Sequence, residues 1–285
     1  MKRFESHPCF AGNCRPAAGR IHLPVSPVCN IRCRFCARGI TTGVSRPGNA
    51  ARVVTPAEAM TILERALIVC PELAVVGVAG PGDPLASGHA LETLTLARQR
   101  HPELLTCLST NGLGLPASLP GLIGAGIETL TVTVNAVDPD ILERLCAGVW
   151  WRGSFLPGRA GAGRLIEAQG EGIRQARDLG MLVKVNLVLA PGINDRHVGE
   201  VARTAAEWGA RYMNVIPLLP AAEFAAAAPP SAEALAAARA AVAGHLEVFR
   251  HCRRCRADAC GVPGGVDYAR ELYREFRQVE TFSHG

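Results

Sequence analysis

The chain has 285 residues, 48% of them hydrophobic and 19% charged, with a formal net charge of +5. This length exceeds the roughly 100–200 residues of one domain but suits an α/β barrel of about 250 residues with appendages, which buries about three-quarters of its unfolded surface without help from disulfides. An aromatic content of 5% gives little stacking surface for single-stranded nucleic acid, no run approaches the ~18 apolar residues of a membrane span, and the opening MKRFESHPCF lacks the apolar core of a signal peptide, so a soluble, cytoplasmic protein with no nucleic-acid or membrane partner is expected.

Short β-rich runs alternate along the chain with longer segments of helical period, which is the mark of parallel α/β architecture. Residues 1–20 carry His7-Pro8-Cys9 and read as an N-terminal extension. The first strand is expected over Ile21–Val28 and leads directly into Cys29, Cys33 and Cys36, spaced C-x3-C-x2-C. Three cysteines in eight residues fit a metal or cluster site better than a secreted disulfide framework. Thr55-Pro56-Ala57-Glu58 then reads as a helix start, with Thr as N-cap and Glu three residues on, and that helix should end near Cys70-Pro71. Further strands are expected at Leu73–Ala79, Leu104–Ser109, Ile127–Val134, Leu182–Leu189 and Arg211–Ile216, with helices around Leu91–Arg100, Leu119–Ala125, Leu165–Leu179 and Val198–Trp208. Cys70 and Cys146 fall in helical segments, as buried packing residues.

Six strands with crossover helices suggest a partial (β/α)6 TIM-like barrel over residues 21–220, its reactive groups gathered where strands end. Residues 221–285 begin with an Ala-rich stretch in which Pro229-Pro230-Ser231 breaks one segment and caps the next helix, and they end in a charged tail containing Cys252, Cys255 and Cys260. Arg250, Arg253, Arg254 and Arg256 form either a solvated basic face or an anion site.

Three cysteines close together can hold a four-iron cubane while leaving one iron open to substrate. Structural zinc is the competing reading, but zinc sites normally show a second, distant pair. After the second strand, Gly80-Pro81-Gly82-Asp83-Pro84 offers close backbone approach and an acceptor for an ammonium group, or is a tight turn without a ligand. On spacing alone, Cys252-x2-Cys255-x4-Cys260 is as consistent with a zinc knuckle, completed by His251 or His245, as with a cluster site.

The triad spacing, with Phe35 before its last cysteine, resembles the radical S-adenosylmethionine (SAM) superfamily. The resemblance implies that Cys29, Cys33 and Cys36 hold a [4Fe–4S] cluster whose open iron chelates SAM, and that the reduced cluster cleaves SAM to a 5′-deoxyadenosyl radical. By the same resemblance Gly80, Gly82 and Asp83 form the SAM-amino loop, and Thr133, Asn186 and Leu189 line the ribose and adenine.

A narrower likeness rests on motifs in one order: His7-Pro8-Cys9, Val25-Ser26-Pro27-Val28-Cys29-Asn30, Ser45-Arg46-Pro47-Gly48, Ala79-Gly80-Pro81-Gly82-Asp83-Pro84-Leu85 and Ser109-Thr110-Asn111-Gly112. Val137-Asp138-Pro139-Asp140, Lys184-Val185-Asn186, Pro191-Gly192-Ile193-Asn194-Asp195 and the run from His251 to Asp258 continue it. Together, over about residues 7 to 261, they resemble the NifB family of nitrogenase cofactor maturases. The likeness implies fusion of two [4Fe–4S] substrate clusters, with a SAM-derived carbide, into the 8Fe–9S–C precursor of the nitrogenase cofactor. It also implies an iron–sulfur donor, a reductant and a downstream cofactor carrier as partners. Cys9, His22 and Cys107 match the positions that hold the first substrate cluster, and Cys252, Cys255 and Cys260 are candidates for the second. The chain departs from the family at Ala37–Gly43, where a cysteine is expected and none stands, and at Val44, where an acidic residue is expected; Cys14 or a non-thiol ligand could complete the set. Altered ligation, another cluster substrate or weakened second-cluster binding all fit these departures. Two other functions stay open: a radical SAM enzyme with an auxiliary cluster acting on a small molecule or nucleotide, and a noncatalytic iron–sulfur carrier.

Overall fold

A computed structural model describes residues 7, 8, 10, 18–37, 40, 48–250 and 255–274. The first half of the chain lays down β1 (Gly19–His22), β2 (Ile31–Cys33), α1 (Pro56–Val69), β3 (Leu73–Val78), α2 (His89–Arg100), β4 (Leu105–Thr110), α3 (Leu115–Gly124) and β5 (Thr129–Thr133). It continues with α4 (Pro139–Leu142), β6 (Cys146–Trp151), β7 (Ser154–Pro157), α5 (Gly158–Asp178), β8 (Leu182–Leu189), α6 (Val198–Trp208), β9 (Tyr212–Pro217), α7 (Ala232–Ala243), β10 (Glu247–Phe249), β11 (Cys260–Gly261) and α8 (Ala269–Leu272).

The six expected strands lie side by side in the order β1-β3-β4-β5-β8-β9, all parallel, as a partial (β/α)6 barrel requires, but the first covers Gly19–His22 rather than Ile21–Val28, because beyond His22 the chain makes only isolated bridges such as Ser26 to Pro81. Two strands the sequence reading lacked extend this sheet: β10 runs parallel beside β9, and β11 pairs antiparallel with β1. Helix starts follow local chemistry. The Thr55 side chain accepts from the Glu58 N–H while Glu58 reaches back to the Thr55 N–H, and Ser231 caps α7 through the Ala234 N–H.

Alternation along each strand sorts its residues onto two faces. Ile21, Val76, Leu108, Leu130, Val132, Val185, Leu187, Leu189, Met213 and Val215 pack outward into one core with apolar residues of the surrounding helices. The intervening positions carry His22, Gly77, Cys107, Ser109, Thr131, Thr133, Lys184, Asn186 and Asn214 on the inner face. A polar row on a strand that is buried on both sides is costly unless those groups bond or bind something. The inner face is therefore the place to look for function.

Between β5 and β8 the structure corrects the sequence reading. Cys146 lies not in a helix but at the start of a β6–β7 hairpin that pairs with β2 in a separate three-stranded sheet. Ile141, Leu142 and Leu145 imitate helical period, but the helix stops at Leu142, Gly148 at φ +157° shapes the strand that follows, and the pairs Val149 with Leu156 and Trp150 with Phe155 zip the hairpin. A Cβ on Gly148 would lie 2.4 Å from the Leu156 carbonyl oxygen, so only glycine allows this approach. No helix among the described residues is long and apolar enough to cross a membrane.

Candidate functional site

A cavity of ≈ 1340 Å³, open mouth included, lies at the C-terminal ends of the central strands. Cys29, Cys33 and Cys36 all line it, facing Gly82, Asp83, Ser109, Thr133 and Asn186. The triad is placed by three local devices. A bridge from Ser26 to Pro81 ties the segment after β1 to the loop after β3, the Cys36 N–H donates to the Cys33 carbonyl at 3.2 Å in a turn, and the Asn111 amide donates to Asn30 Oδ1 at 2.7 Å beside the Cys29 sulfur. The Cys33 thiol is raised well above the usual thiol range by its hydrogen bond to Cys146, then by burial, and further by the Cys146, Cys36 and Cys29 sulfurs. Cys146, receiving that hydrogen bond, is drawn down.

The loop after β3 is held as tightly as the triad. Gly82 N–H donates to the Ser26 carbonyl and Asp83 N–H to the Val28 carbonyl, each at 2.8 Å. The buried Asp83 carboxylate accepts from the Leu85 N–H, the Asn111 N–H and the Thr110 hydroxyl. Burial raises its pKa while these bonds oppose the rise. Asp83 therefore staples the β3 loop to the end of β4, a structural task beyond the ammonium acceptor expected of it. Gly80 sits behind the cavity at φ +132°, against Gly48 and Ala257, and does not line it. Leu189 points into the outer core, and its neighbour Val188 lines the cavity instead.

These residues fit an iron–sulfur cluster with an attached small molecule. The donors are soft thiols at the rim of a mostly apolar cavity, and no group of three His, Cys, Asp or Glu among the described residues is gathered tightly enough for a single metal ion. Ligands to separate irons of a cubane meet that description better than ligands to zinc. The cavity wall also contains the buried Gln169, whose amide donates to the Asn111 and Thr133 carbonyls while its own oxygen has no partner among the described residues. Its signal was present in the sequence: Leu165, Gln169 and Ile173 recur every four residues, which puts one polar side chain on an apolar helix face.

A second set of donors lies deeper on the inner face. His22 Nδ1 is 3.6 Å from Cys255 Sγ and 2.9 Å from the Arg256 carbonyl, and Arg20 donates to the same sulfur at 3.3 Å. Cys107 joins them across Gly77, whose added Cβ would meet Cys107 Sγ at 2.3 Å and His22 Cδ2 at 3.5 Å. Burial alone would lower the His22 pKa, but the adjacent Cys255 sulfur and the Arg256 carbonyl leave it raised. His7 packs nearby against Thr129 and is pushed down to about 3 by burial, Lys184 and His22. Cys255 thus sits with His22 and Cys107. Cys260 is fully buried in the core on β11, its thiol pushed up to about 12 by burial and the Cys70 sulfur. Cys9, Cys14, Cys252, His251 and most of residues 38–47 lie outside the described residues.

Residues 23–205 match the family model of the radical SAM superfamily. The chain is 39% identical over 270 residues to the FeMo cofactor biosynthesis protein NifB of Klebsiella pneumoniae, covering 92% of this chain and 58% of that one. It is 38% identical over 286 residues to the protein of the same name from Methanocaldococcus jannaschii, covering 98% and 95%. The chain thus spans little more than half of the bacterial relative and nearly all of the archaeal one. In fold it is similar to SuiB of Streptococcus suis bound to S-adenosylmethionine, with a TM-score of 0.60 at 13% identity over 92% of this chain and 53% of that one.

Proposed function

The chain belongs to the NifB family of the radical SAM superfamily, and on that premise we propose that it fuses two [4Fe–4S] substrate clusters, with a SAM-derived carbon, into the 8Fe–9S–C precursor of the nitrogenase cofactor. The observation that carries this reading is the nearness of two donor sets, the triad at the cavity and the His22, Cys107 and Cys255 set on the inner face of the main sheet. Cys107 lies two residues before the cavity-lining Ser109 on β4, on the same face, so the His22, Cys107 and Cys255 set is about 7 Å along the strand from the triad cavity. A second nest of soft ligands so close to the SAM site suits an enzyme whose substrate is itself a cluster, and the likeness to NifB favours that over an auxiliary cluster serving a small organic substrate.

Cys29, Cys33 and Cys36 would hold the resident cluster, and SAM would occupy the cavity bounded by Gly82, Thr133, Asn186 and Gln169. When bound, the pair supplies a strongly oxidising carbon radical and, from a second SAM, a methyl group. The protein's own contribution is positional. Asp83 fixes the loop that faces the triad, Asn111 orients the segment around Cys29 and Asn30, and the apolar Val188, Ile216 and Leu142 in the wall keep water from the reacting carbon. His22, with Nδ1 turned toward the Arg256 carbonyl and Cys255, and Cys107 on β4 across β3 in the same sheet, would present the first substrate cluster. Cys9 stands in the same family position for that cluster, and Cys252 remains a candidate for the second, whereas the core burial of Cys260 sets it apart from both. An iron–sulfur donor, a low-potential reductant and a carrier that removes the product complete the scheme.

Incubating the purified protein with iron, sulfide, SAM and reductant should yield a product that activates cofactor-free nitrogenase; a preparation that cleaves SAM but never activates would contradict the maturase reading. At the residue level, Cys255→Ala should lower iron content beyond the triad cluster while leaving that cluster's EPR signal in place. Unchanged iron stoichiometry would remove Cys255 from the substrate site.

A further inference from the structure

The small sheet of β2, β6 and β7 forms one wall of the triad cavity, and its two faces differ in kind. Ile31, Cys33 and Cys146 line the cavity from the inner face, which Val149, Trp151 and Leu156 continue into a core shared with α5. Alternation puts Arg32, Trp150 and Phe155 on the outer face. Arg32 stands opposite both Ala147 and Gly148, in a bulge where β6 has two residues to its one. The Phe155 ring lies over the bare Gly148, since a Cβ there would be 2.6 Å from Phe155 Cζ. The same ring packs on Trp150 with centroids 4.7 Å apart, yet Phe155 stays 40% exposed, and Arg32 and the hairpin-tip Arg152 are exposed as well. The neighbouring Arg159 and Arg164 pair with Asp140 and Glu167, whereas Arg32 and Arg152 meet no carboxylate among the described residues. Aromatic rings flanked by arginine are what protein contact surfaces are enriched in.

We propose that this outer face is the docking surface for an acidic, low-potential electron-carrier protein that reduces the resident cluster. The proposal rests on the triad holding that cluster. SAM and the substrate would use the cavity mouth at the strand ends, whereas an electron needs only nearness. Arg32 and Cys33 are neighbours on β2, so a carrier seated on Arg32, Trp150 and Phe155 is one sheet layer from the triad. One electron passes from the reduced centre of the carrier to the cluster and the oxidised carrier leaves; no bond forms or breaks. Electron-transfer encounters bury little surface, and opposite charge speeds them, which suits two arginines beside a small aromatic plate. A second copy of this chain would bring the same arginines against them, a repulsion that disfavours self-association through this face.

The test is stopped-flow reduction of the reconstituted protein by a reduced, acidic 2[4Fe–4S] ferredoxin, repeated on Phe155→Ser and on the double variant Arg32→Glu with Arg152→Glu. Thermal unfolding is measured on each, and dithionite serves as a small reductant that needs no docking surface. At low salt the charge-reversed variant should be reduced about tenfold more slowly than wild type, with the gap closing as salt rises. Phe155→Ser should be slower at every salt concentration, and both variants should form 5′-deoxyadenosine as wild type does when dithionite is in excess. Ferredoxin reduction of the charge-reversed variant at the wild-type rate, a wild-type rate indifferent to salt, or an equal loss with dithionite would overturn the proposal. So would a wild-type dimer in light scattering that Phe155→Ser dissociates, because a second copy would then cover the face. A wild type in which dithionite produces no SAM-responsive cluster overturns the triad reading itself, an outcome distinct from a sound cluster whose reduction ignores Arg32 and Arg152.

Discussion

Alanine at Cys29, Cys33 and Cys36 together is expected to reduce 5′-deoxyadenosine formation from SAM to the level of a protein-free control and to erase the SAM-perturbed [4Fe–4S] EPR signal. The three sulfurs are the only soft donors of residues 23–37, and all of them reach the cavity. Because a cubane bound by three thiolates has no spare protein ligand, losing the set leaves nothing to anchor it. The fold should survive. Cys36 is exposed, Cys29 and Cys33 are half-buried, and truncating such positions costs about 1 kcal/mol each, a shift of roughly 2–4 °C apiece in the unfolding midpoint. Folded protein that still cleaves SAM would mean that the cluster is held elsewhere.

The sequence revealed those features whose physics is local. The Thr55 and Glu58 box, the apolar strands around Val76 and Val185, and the close-packed triad each declare themselves within a few residues, and each is present in the structure. What stayed hidden depends on register between distant segments. Whether Cys255 belongs with Cys260 or with His22 is decided by the pairing of β11 with β1, which sends Cys260 into the core and leaves Cys255 beside His22. Leu189 and Val188 differ by one residue, yet alternation sends the first to the outer core and the second to the cavity. The expectation that the Leu189 side chain lines the SAM site meets that parity, which turns the side chain away from the cavity. Cys146 was hidden for another reason, since a bulge cannot be read from hydrophobic period, and here it decides which side chain faces Cys33.

The loop after β3 shows how closely stability and function are joined at this site, and Gly82→Ala should damage both. A Cβ at Gly82 would lie 2.0 Å from the Val28 carbonyl oxygen and 2.8 Å from that of Ser26, and neither is the end of a flexible side chain. The same two carbonyls accept the Asp83 and Gly82 N–H groups, so the loop cannot move away without losing those bonds. Overpacking of about 1–3 kcal/mol and two backbone hydrogen bonds at about 1 kcal/mol each put the cost at roughly 3–5 kcal/mol. For a chain of this size that is on the order of 10 °C in the unfolding midpoint. SAM affinity should fall with it, because the displaced Ser26–Val28 segment runs directly into Cys29. Gly163→Ala is the matching control. It lies inside α5 with nothing within 4 Å of the added carbon, and there alanine should stabilise the helix by about 0.5–1 kcal/mol and leave SAM binding unchanged. If Gly82→Ala melts with the wild type and binds SAM normally, the contact between this loop and the Ser26–Val28 segment does not hold the site together, and the placement of SAM beside it loses its main support.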